Sequence, residues 1–142
     1  MSGFSVIAPG VLSLLQDQGR FGQSALGLTP GGPMDPQSAY WANRLLSNSQ
    51  DATLIECSVG GLQLKANGNS YIAVTGATLP LTINGKAAEQ WTAHKVQQGD
   101  VLAQVHAATA EQAAVANAEY LAALTITPQP DEDHPLVHLT IG

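Results

Sequence analysis

Short apolar runs alternate with Gly, Asn and Asp turns along most of this chain. Runs of this length, bounded by turn residues, are typical of β-strands. The predicted strands are residues 4–8, 11–15, 52–57, 61–66, 70–75, 79–83, 91–96, 101–105 and 136–141. Asn84 and Gly85 are the residue pair that favours a type I′ turn, so they predict a tight β-hairpin. The pattern therefore predicts a mainly β domain, either a barrel or a sandwich.

One long segment interrupts this pattern. Residues 19–34, which we call the Gly-rich loop, contain five Gly and two Pro. Most connections in compact domains have about 4–6 residues, and much longer ones are often functional. Asp35 suits the N-cap of a helix and Pro36 suits its first position. The apolar stripe of this predicted helix is Ala39, Ala42, Leu45 and Leu46. We therefore expect one helix directly after the loop.

The C-terminal part of the chain has a different composition. Residues 110–124 contain no Gly or Pro and many Ala, and Thr109 and Gln112 have the spacing of a capping box. This composition predicts a second helix near residues 109–122. Two prolines and three acidic residues then predict a polar linker over residues 128–133. We therefore divide the chain into a β domain, residues 1–106, and a divergent segment, residues 107–142.

Charge and cysteine content exclude several classes of function. Only 11% of the 142 residues are charged and the net charge is −6, so no basic stripe is available for nucleic acid or an anionic membrane. The apolar runs are too short to span a bilayer, and the N-terminus does not resemble a signal peptide. The single cysteine, Cys57, excludes an internal disulfide. We therefore expect a cytoplasmic protein.

Three ionisable residues at or near the ends of the Gly-rich loop are candidates for catalysis. Asp17 and Arg20 are three residues apart, close enough for an ion pair, and the Arg20 guanidinium could bind a ligand carboxylate or phosphate. The alternative is internal pairing of Arg20, including with free carbonyls of the loop. Asp35 is a candidate general base, with capping of the helix as the alternative role. The candidate catalytic residues are Asp17, Arg20 and Asp35.

Four further residues are candidates for binding a substrate or a partner. Strand alternation places Glu56 on the face opposite Ile55 and Cys57, so Glu56 is predicted to face a partner, a substrate or solvent, and Cys57 to be a small buried hydrophobic residue. Asn43 lies beside Tyr40 on the predicted helix, facing the loop or solvent. The candidate binding residues are Gln16, Met34, Asn43 and Glu56.

The sequence predicts no metal site and no nucleotide site within this chain. His134 and His138 are separated by Pro135, and in a strand they would lie roughly 13 Å apart. His94 and His106 lie on separate predicted strands. The glycines do not form a phosphate-binding loop, so any ATP site must lie mostly on another protein.

Several short motifs occur in one order along the chain. They are QDQGR at residues 16–20, GPMD at 32–35, AN at 42–43, LIECSVGGLQL at 54–64, YIAVTGA at 71–77, INGKAAEQW at 83–91 and QQGDVL at 97–102. Together these motifs resemble the N-terminal part of the KipA/PxpC family, also labelled allophanate hydrolase subunit 2. Its relatives form part of the carboxyltransferase domain of biotin-dependent urea carboxylase.

The resemblance implies a cyclophilin-like β-barrel, with a strand similar to residues 118–126 and a further barrel half that this chain does not contain. We therefore expect a fragment or a shortened member, with exposed edges that favour self-association. The resemblance also implies a subunit of an ATP-dependent oxoprolinase, which opens pyroglutamate to glutamate with a KipI/PxpB-type partner and a LamB/PxpA-type subunit. On this reading ATP would bind at a shared site and this chain alone would bind no cofactor. We expect Arg20 to hold the substrate carboxylate while nearby acidic groups transfer protons.

Two alternatives to the oxoprolinase stay open. One is carboxyl transfer from biotin to urea or a similar amide, which needs a biotin carrier and a carboxylase that this chain does not encode. The other is a non-catalytic regulatory module that binds a KipI-type kinase inhibitor. Persistent binding without turnover would distinguish the regulatory module from both enzymes.

Overall fold

The computed structural model describes residues 3–58, 60–104, 121–128 and 138–141. Within these ranges there are eleven strands and one α-helix. The strands are β1 Gly3–Pro9, β2 Leu12–Gln16, β3 Leu54–Ser58, β4 Leu62–Ala66, β5 Ser70–Gly76, β6 Leu81–Ile83, β7 Lys86–Ala88, β8 His94–Val96, β9 Val101–Gln104, β10 Leu121–Pro128 and β11 His138–Ile141. The helix, α1, is Pro36–Leu45, and a short 3-10 helix covers Ser24–Leu26. The predicted mainly β fold with a helix after the Gly-rich loop is confirmed.

The strands form two sheets. A six-stranded sheet has the order β11-β1-β4-β9-β6-β7, and a five-stranded sheet has the order β2-β3-β10-β5-β8. All pairs are antiparallel except β1 with β11. The chain passes from one sheet to the other between β1 and β2, at Pro9 and Gly10. This change of sheet explains why the sequence shows two short runs there instead of one long strand.

Alternation of side chains builds the core between the sheets. On β4, Leu62, Leu64 and Ala66 are buried, whereas Gln63 and Lys65 are exposed. Twelve buried residues form one apolar cluster, which includes members of both sheets. They are Phe4, Ile55, Cys57, Leu62, Leu64, Ala66, Ile72, Val74, Leu79, Leu81, Val96 and Leu102. Burial of this cluster is the main source of stability, since apolar area removed from water contributes about 25 cal/mol per Å².

Helix α1 covers the outer face of the five-stranded sheet. It contacts β5 and β10, and the buried Thr75 hydroxyl on β5 donates a hydrogen bond to the Ser38 carbonyl at 2.8 Å. Ala39 and Ala42 of the helix form a second buried cluster with Leu54 of β3. The five-stranded sheet is therefore covered on both faces near β3, by the core on one side and by the helix on the other.

The predicted strands are confirmed within the described ranges, with ends shifted by up to three residues. Asn84 and Gly85 have φ angles of 52° and 75° and join β6 to β7, so the predicted hairpin is confirmed. Strand β7 is not among the predicted strands, although the hairpin requires it. The run predicted to start at residue 91 forms a strand only from His94, because Trp91 has a positive φ of 62°.

The predicted second helix falls mostly on residues 105–120, which lie outside the described part of the chain. Its predicted end is wrong, because residues 121 and 122 belong to β10. This strand lies between β3 and β5 and pairs with both, so long-range pairing outweighs the helix propensity of its alanines. The strand that the family resemblance implied is confirmed over Leu121–Pro128.

In the portion that the structure describes, we find no helix that is both long enough and apolar enough to cross a membrane.

Candidate functional site

The Gly-rich loop is closed at its base. Gly19 has a φ of +84°, and a Cβ at this position would lie 2.7 Å from the Gly31 carbonyl carbon and 2.8 Å from the Gly32 nitrogen, and closer still to the Pro30 carbonyl oxygen. The Arg20 backbone N–H donates to the same Pro30 oxygen, with an N···O distance of 2.5 Å. Only glycine permits this approach of two backbone segments. The two ends of the loop are therefore held together at Gly19.

The loop beyond this closure projects into solvent. Residues 20–30 are all exposed, and three large apolar side chains of the loop, Phe21, Leu26 and Met34, are 73–80% exposed. The 3-10 turn Ser24–Leu26 ends at Gly27, which has a left-handed φ of 74°. Apolar side chains concentrated on an exposed loop are typical of a surface that contacts another molecule.

At the end of the loop, Asp35 caps helix α1 as predicted. Its Oδ1 accepts hydrogen bonds from the backbone N–H groups of Gln37 and Ser38 at 3.1 and 3.0 Å, and its Oδ2 accepts one from the Ser38 hydroxyl. Burial raises the pKa of Asp35, but these hydrogen bonds outweigh burial and lower the pKa below its ordinary value. The geometry therefore supports the capping role. The catalytic role of Asp35 stays a prediction.

Glu56 is buried on β3, with 7% of its surface exposed. It points away from the main core, as the alternation predicted, because Ile55 and Cys57 lie in the core cluster. The solvent-exposed alternative is wrong, since the loop and helix α1 cover this face of the strand. The Glu56 Oε2 accepts a hydrogen bond from the backbone N–H of Met34 at 2.7 Å. Glu56 therefore fixes the residue that directly precedes the helix cap.

Asn43 is buried on α1, so its predicted solvent-exposed alternative is wrong. Its Nδ2 donates to the Ala52 carbonyl at 2.9 Å, and its Oδ1 accepts from the Asn48 side chain at 3.3 Å. These contacts join the last turns of the helix to the segment that leads into β3. Asn43 therefore has a structural role, and it also lines the cavity described below.

Cys57 is fully buried, as predicted. Burial raises the pKa of its thiol, a hydrogen bond with Ser13 partly opposes this, and the charge of Glu56 raises the pKa further, to about 11. The thiolate is the nucleophilic form of cysteine, and it is scarce at neutral pH when the pKa is this high. Cys57 is therefore a core residue and not a nucleophile.

A cavity of about 330 Å³ lies between the end of β2, the loop and helix α1. Three of the predicted site residues line it, namely Gln16, Asp17 and Asn43. The other polar lining residues are Gln18, Gln50 and Tyr40. The remaining lining residues are Phe21, Gly31, Pro33, Pro36, Ala39, Ala52 and Leu54. The cavity thus combines neutral amides and one carboxylate with an apolar wall.

Asp17 and Arg20 do not form the ion pair that their spacing predicted. The Asp17 Oδ1 accepts a hydrogen bond from the Gly19 backbone N–H at 2.8 Å. Among the described residues, the Asp17 Oδ2 has no hydrogen-bond partner and the Arg20 guanidinium has neither a hydrogen bond nor an ion pair. Of the two predicted alternatives for Arg20, the structure therefore favours a guanidinium that is available to a ligand or partner.

The structure separates the predicted site residues into two groups. Gln16, Asp17 and Asn43 lie at the cavity, and Arg20 directly precedes the lining residue Phe21. Met34, Asp35 and Glu56 lie together at the start of α1 and do not line the cavity.

The sequence analysis missed Gln18, Gln50 and Tyr40 as lining residues. The Gln18 Nε2 donates to the Gln50 carbonyl at 2.8 Å and joins the loop to the segment after α1. Gln18 lies within the motif QDQGR and could have been found there. No local sequence pattern marks Gln50 as a lining residue, because only the tertiary fold brings it to the cavity.

For the ranges that can be described, no group of three His, Cys, Asp or Glu side chains is close enough to hold a metal ion.

Comparisons with known proteins agree with this fold. The family model for the carboxyltransferase domain, subdomain A and B, matches residues 26–124. Urea amidolyase from Lachancea kluyveri is 36% identical over 101 residues, which are 70% of this chain and 6% of that protein. A 5-oxoprolinase subunit from Haemophilus influenzae is 31% identical over 88 residues, which are 62% of this chain and 28% of that protein.

A solved structure shows the same similarity. The crystal structure of the K. lactis urea amidolyase superposes with a TM-score of 0.76 at 31% identity, covering 87% of this chain and 7% of the other. The chain thus spans between 6% and 28% of the length of these two curated relatives. The family resemblance inferred from the sequence motifs is confirmed.

Proposed function

Because this chain belongs to the carboxyltransferase domain family, subdomain A and B, we propose that it is part of an ATP-dependent 5-oxoprolinase. Such an enzyme opens the lactam ring of 5-oxoproline, also called pyroglutamate, to give glutamate. The similarity to a known 5-oxoprolinase subunit supports this proposal. The cavity at the base of the Gly-rich loop is the observation that carries it.

The lining of the cavity suits a small amide. Asp17 and Gln18 offer acceptor oxygens for a lactam N–H, and Ala39 and Leu54 provide apolar surface for the methylene groups of the ring. A volume of about 330 Å³ is at the lower end of the range for small-molecule sites, about 300–1,000 Å³. Size and chemistry of the cavity therefore both favour a compact amide ligand.

Asp17 is the best placed group for proton transfer. In ring opening, water adds to the lactam carbonyl, the C–N bond breaks and the nitrogen takes up a proton to become the amine of glutamate. A carboxyl group within hydrogen-bond reach of that nitrogen can transfer this proton to it. Asp17 lines the cavity and has one oxygen without a partner in the described structure. Arg20 would hold the substrate carboxylate with its planar guanidinium.

The enzyme would be completed by other proteins. No segment of the sequence forms a phosphate-binding loop, so we assign most of the ATP site to a KipI/PxpB-type partner, with a LamB/PxpA-type subunit as the third component. ATP would activate the lactam by transferring a phosphoryl group to the carbonyl oxygen, with ADP as the leaving group, and inorganic phosphate would be released after water has added. The exposed side chains of Phe21, Leu26 and Met34 on the Gly-rich loop offer apolar contacts for such a partner.

Carboxyl transfer to urea is the second candidate function. The 36% identity to a urea amidolyase favours it. Urea and 5-oxoproline share an unreactive amide, so the same cavity suits both. This reaction would require a biotinylated carrier protein and a carboxylase. The third candidate, a regulatory module that sequesters a KipI-type protein, would use the exposed loop without any chemistry at the cavity.

Reconstitution tests the three candidates. The chain would be mixed with the KipI/PxpB-type and LamB/PxpA-type proteins of the same genome, and complex formation measured by size exclusion with light scattering. We expect a stable mixed complex that releases glutamate from 5-oxoproline only when ATP is present, while the isolated chain is inactive.

Each alternative has its own outcome. Urea-dependent loss of carboxyl groups from a biotinylated carrier, without release of glutamate, would favour carboxyl transfer. A stable complex without either activity would favour the regulatory module. Self-association without any mixed complex, or turnover by the isolated chain, would contradict the proposal of a shared active site.

A further inference from the structure

We propose that a second copy of this chain docks on the free edge of β2, so that the two five-stranded sheets join into one continuous sheet. Among the described strands, β2 pairs with β3 on one side and with none on the other. An unpaired edge presents a row of backbone N–H and C=O groups that another strand can pair with. This interface is separate from the activity proposed above and needs no ligand at the cavity.

Strand β2 lacks the features that protect a sheet edge from pairing. Its five residues, LSLLQ, include no charged residue and no proline. The edge strands β7 and β8 are each three residues long, and they contain Lys86 and Lys95, respectively. Short length and lysine both oppose strand pairing between molecules. Of the edge strands whose side chains the structure describes, β2 is therefore the one suited to accept another strand.

Both faces of β2 expose leucine to water. Leu12 and Leu14 are 51% and 43% exposed on the face that carries Glu56. Leu15 lies on the other face, opposite the core residue Ile55, and is 59% exposed. The described sheets therefore leave the core face open at this edge. A further strand beside β2 would cover Leu15.

A two-fold axis perpendicular to the sheet at Leu14 gives the register. The central position of Leu14 lets all five residues of the strand pair. Leu14 then lies opposite its own copy, Leu12 opposite Gln16 and Ser13 opposite Leu15. Residues that lie opposite each other share a face, so both faces of the sheet continue into the second copy. The same surface is used on both chains, which is the usual arrangement in a homodimer.

This register keeps the negative charges of two acidic chains apart. The net charge is −6, so like charges at the contact would oppose association. Asp17, the charged residue next to β2, would lie opposite Val11 of the second copy, and the two Asp17 residues would be six positions or roughly 20 Å apart. The two Glu56 residues would be three strand spacings or roughly 14 Å apart. Both distances exceed the Debye length of about 8 Å at physiological salt, so repulsion across the contact is small.

The contact is small, and the dimer should be weak. A standard interface buries about 800 Å² on each partner and uses about 20–30 residues a side. Strand β2 contributes five residues, with the exposed Val11 next to it. We therefore expect a dissociation constant of roughly 10–100 μM, in the range of transient complexes.

Sedimentation velocity of the full chain, over concentrations that span this value, measures the association. We expect Leu14→Lys to weaken it at least about tenfold, because two like charges would lie directly opposite each other at the two-fold axis. Leu28→Lys is the matched control, since Leu28 is 42% exposed on the Gly-rich loop and away from the β2 edge. It should leave the association unchanged. Urea denaturation verifies that both variants fold.

A disulfide tests the register independently. Opposite residues have Cβ atoms about 4.5–5.5 Å apart, so Leu14→Cys should give a covalent dimer on mild oxidation. Leu12→Cys is its control, because the two substituted residues would be four positions or roughly 13 Å apart, too far for a disulfide. The native Cys57 is buried and should not interfere.

Several results would overturn the β2 dimer. They are a chain that stays monomeric well above this dissociation constant, equal association of Leu14→Lys and Leu28→Lys, and equal cross-linking of the two cysteine variants. A monomeric chain whose complex with the KipI/PxpB-type protein is weakened by Leu14→Lys would assign the edge to that partner and exclude the second copy.

Discussion

Acidic residues lie near both the start and the end of the Gly-rich loop, and they make different contacts. At the end of the loop, the carboxylates of Asp35 and Glu56 accept hydrogen bonds from backbone N–H groups and fix the start of helix α1. At the start of the loop, Asp17 lines a cavity, and Arg20 is exposed and directly precedes the lining residue Phe21. We infer that Asp35 and Glu56 hold the end of the loop in place, whereas Asp17 and Arg20 at its start interact with the ligand.

The difference lies in hydrogen bonding and not in residue type. Asp35 accepts three hydrogen bonds, and its pKa is lowered as a result. A carboxylate that is engaged in this way is a poor base. Asp17 accepts one hydrogen bond from the backbone and keeps one oxygen without a partner in the described structure.

Substituting Gly19 should open the base of the loop. In Gly19→Ala, the new Cβ would overlap the Pro30 carbonyl oxygen and lie 2.7 Å from the Gly31 carbonyl carbon, and the positive φ adds strain of about 1–2 kcal/mol. We expect the free energy of unfolding to fall by about 2–4 kcal/mol, measured by urea denaturation. Gly22→Ala is the matched control, because Gly22 also has a positive φ but no atom within 4 Å of the new Cβ. Equal losses in both variants would show that the backbone contact at Gly19 is unimportant.

Removing the Arg20 side chain should affect binding and not stability. In the reconstituted enzyme, Arg20→Ala should raise the KM for 5-oxoproline about tenfold or more, because a charge-assisted hydrogen bond contributes about 1.5–3 kcal/mol. The unfolding midpoint should be unchanged, since the guanidinium has no protein partner in the described ranges. Arg44→Ala is the matched control, as Arg44 is the other arginine of the chain and lies exposed on α1. A lower midpoint with an unchanged KM would assign Arg20 to the fold.

Substituting Glu56 should weaken the contact that fixes the end of the loop at the start of helix α1. Glu56→Leu removes the acceptor of the Met34 N–H, and we expect the free energy of unfolding to fall by about 1–2 kcal/mol. Glu56→Gln retains an acceptor oxygen and should cost clearly less. Urea denaturation of both variants measures the difference. A Gln variant as unstable as the Leu variant would mean that the charge of Glu56, and not its hydrogen bond, stabilises the fold.

The contribution of Asp35 should depend on pH. Because its pKa is lowered in the folded state, its ionised form stabilises the fold above the ordinary carboxylate pKa, and this contribution is lost as the pH falls through the folded value. We expect Asp35→Ala to cost about 1 kcal/mol at pH 7. This difference from the unsubstituted protein should shrink below about pH 4.

Urea denaturation at pH 7, 5 and 3 checks this expectation. Asp35→Ser, which keeps a capping hydroxyl without a charge, is the control: it should lose less than Asp35→Ala at pH 7, and the stability difference between these two variants should not change with pH. A stability difference that grows on acidification would contradict the capping role of Asp35.

The sequence alone predicted those features that depend on neighbouring residues. Alternation gave the strands and placed Ile55 and Cys57 in the core. Asp35 and Pro36 gave the start of α1. The Asn84-Gly85 pair gave the hairpin. Each of these signals acts over a few residues, so it can be read without knowing the fold.

Features that depend on distant contacts could not be predicted in this way. Alternation showed that Glu56 points away from the core, but not that the loop and helix cover its face of the sheet. The alanine-rich composition of residues 121–124 favoured a helix, whereas pairing with β3 and β5 makes this segment a strand. The cavity depends on Gln50 and Leu54 meeting the loop, and only the tertiary fold brings them there.

Comparing Asp17→Asn with Asp35→Asn in the reconstituted enzyme separates the roles of the two ends of the loop. Both substitutions remove a charge while keeping an oxygen that can accept the local backbone N–H, so both variants should fold. The measurement is kcat/KM for the ATP-dependent release of glutamate from 5-oxoproline. We predict a loss of about 100-fold or more for Asp17→Asn, the size expected for a general acid or base, and nearly full activity for Asp35→Asn. The reverse pattern, or equal losses in the two variants, would contradict the assignment of the start of the loop to chemistry and of its end to structure.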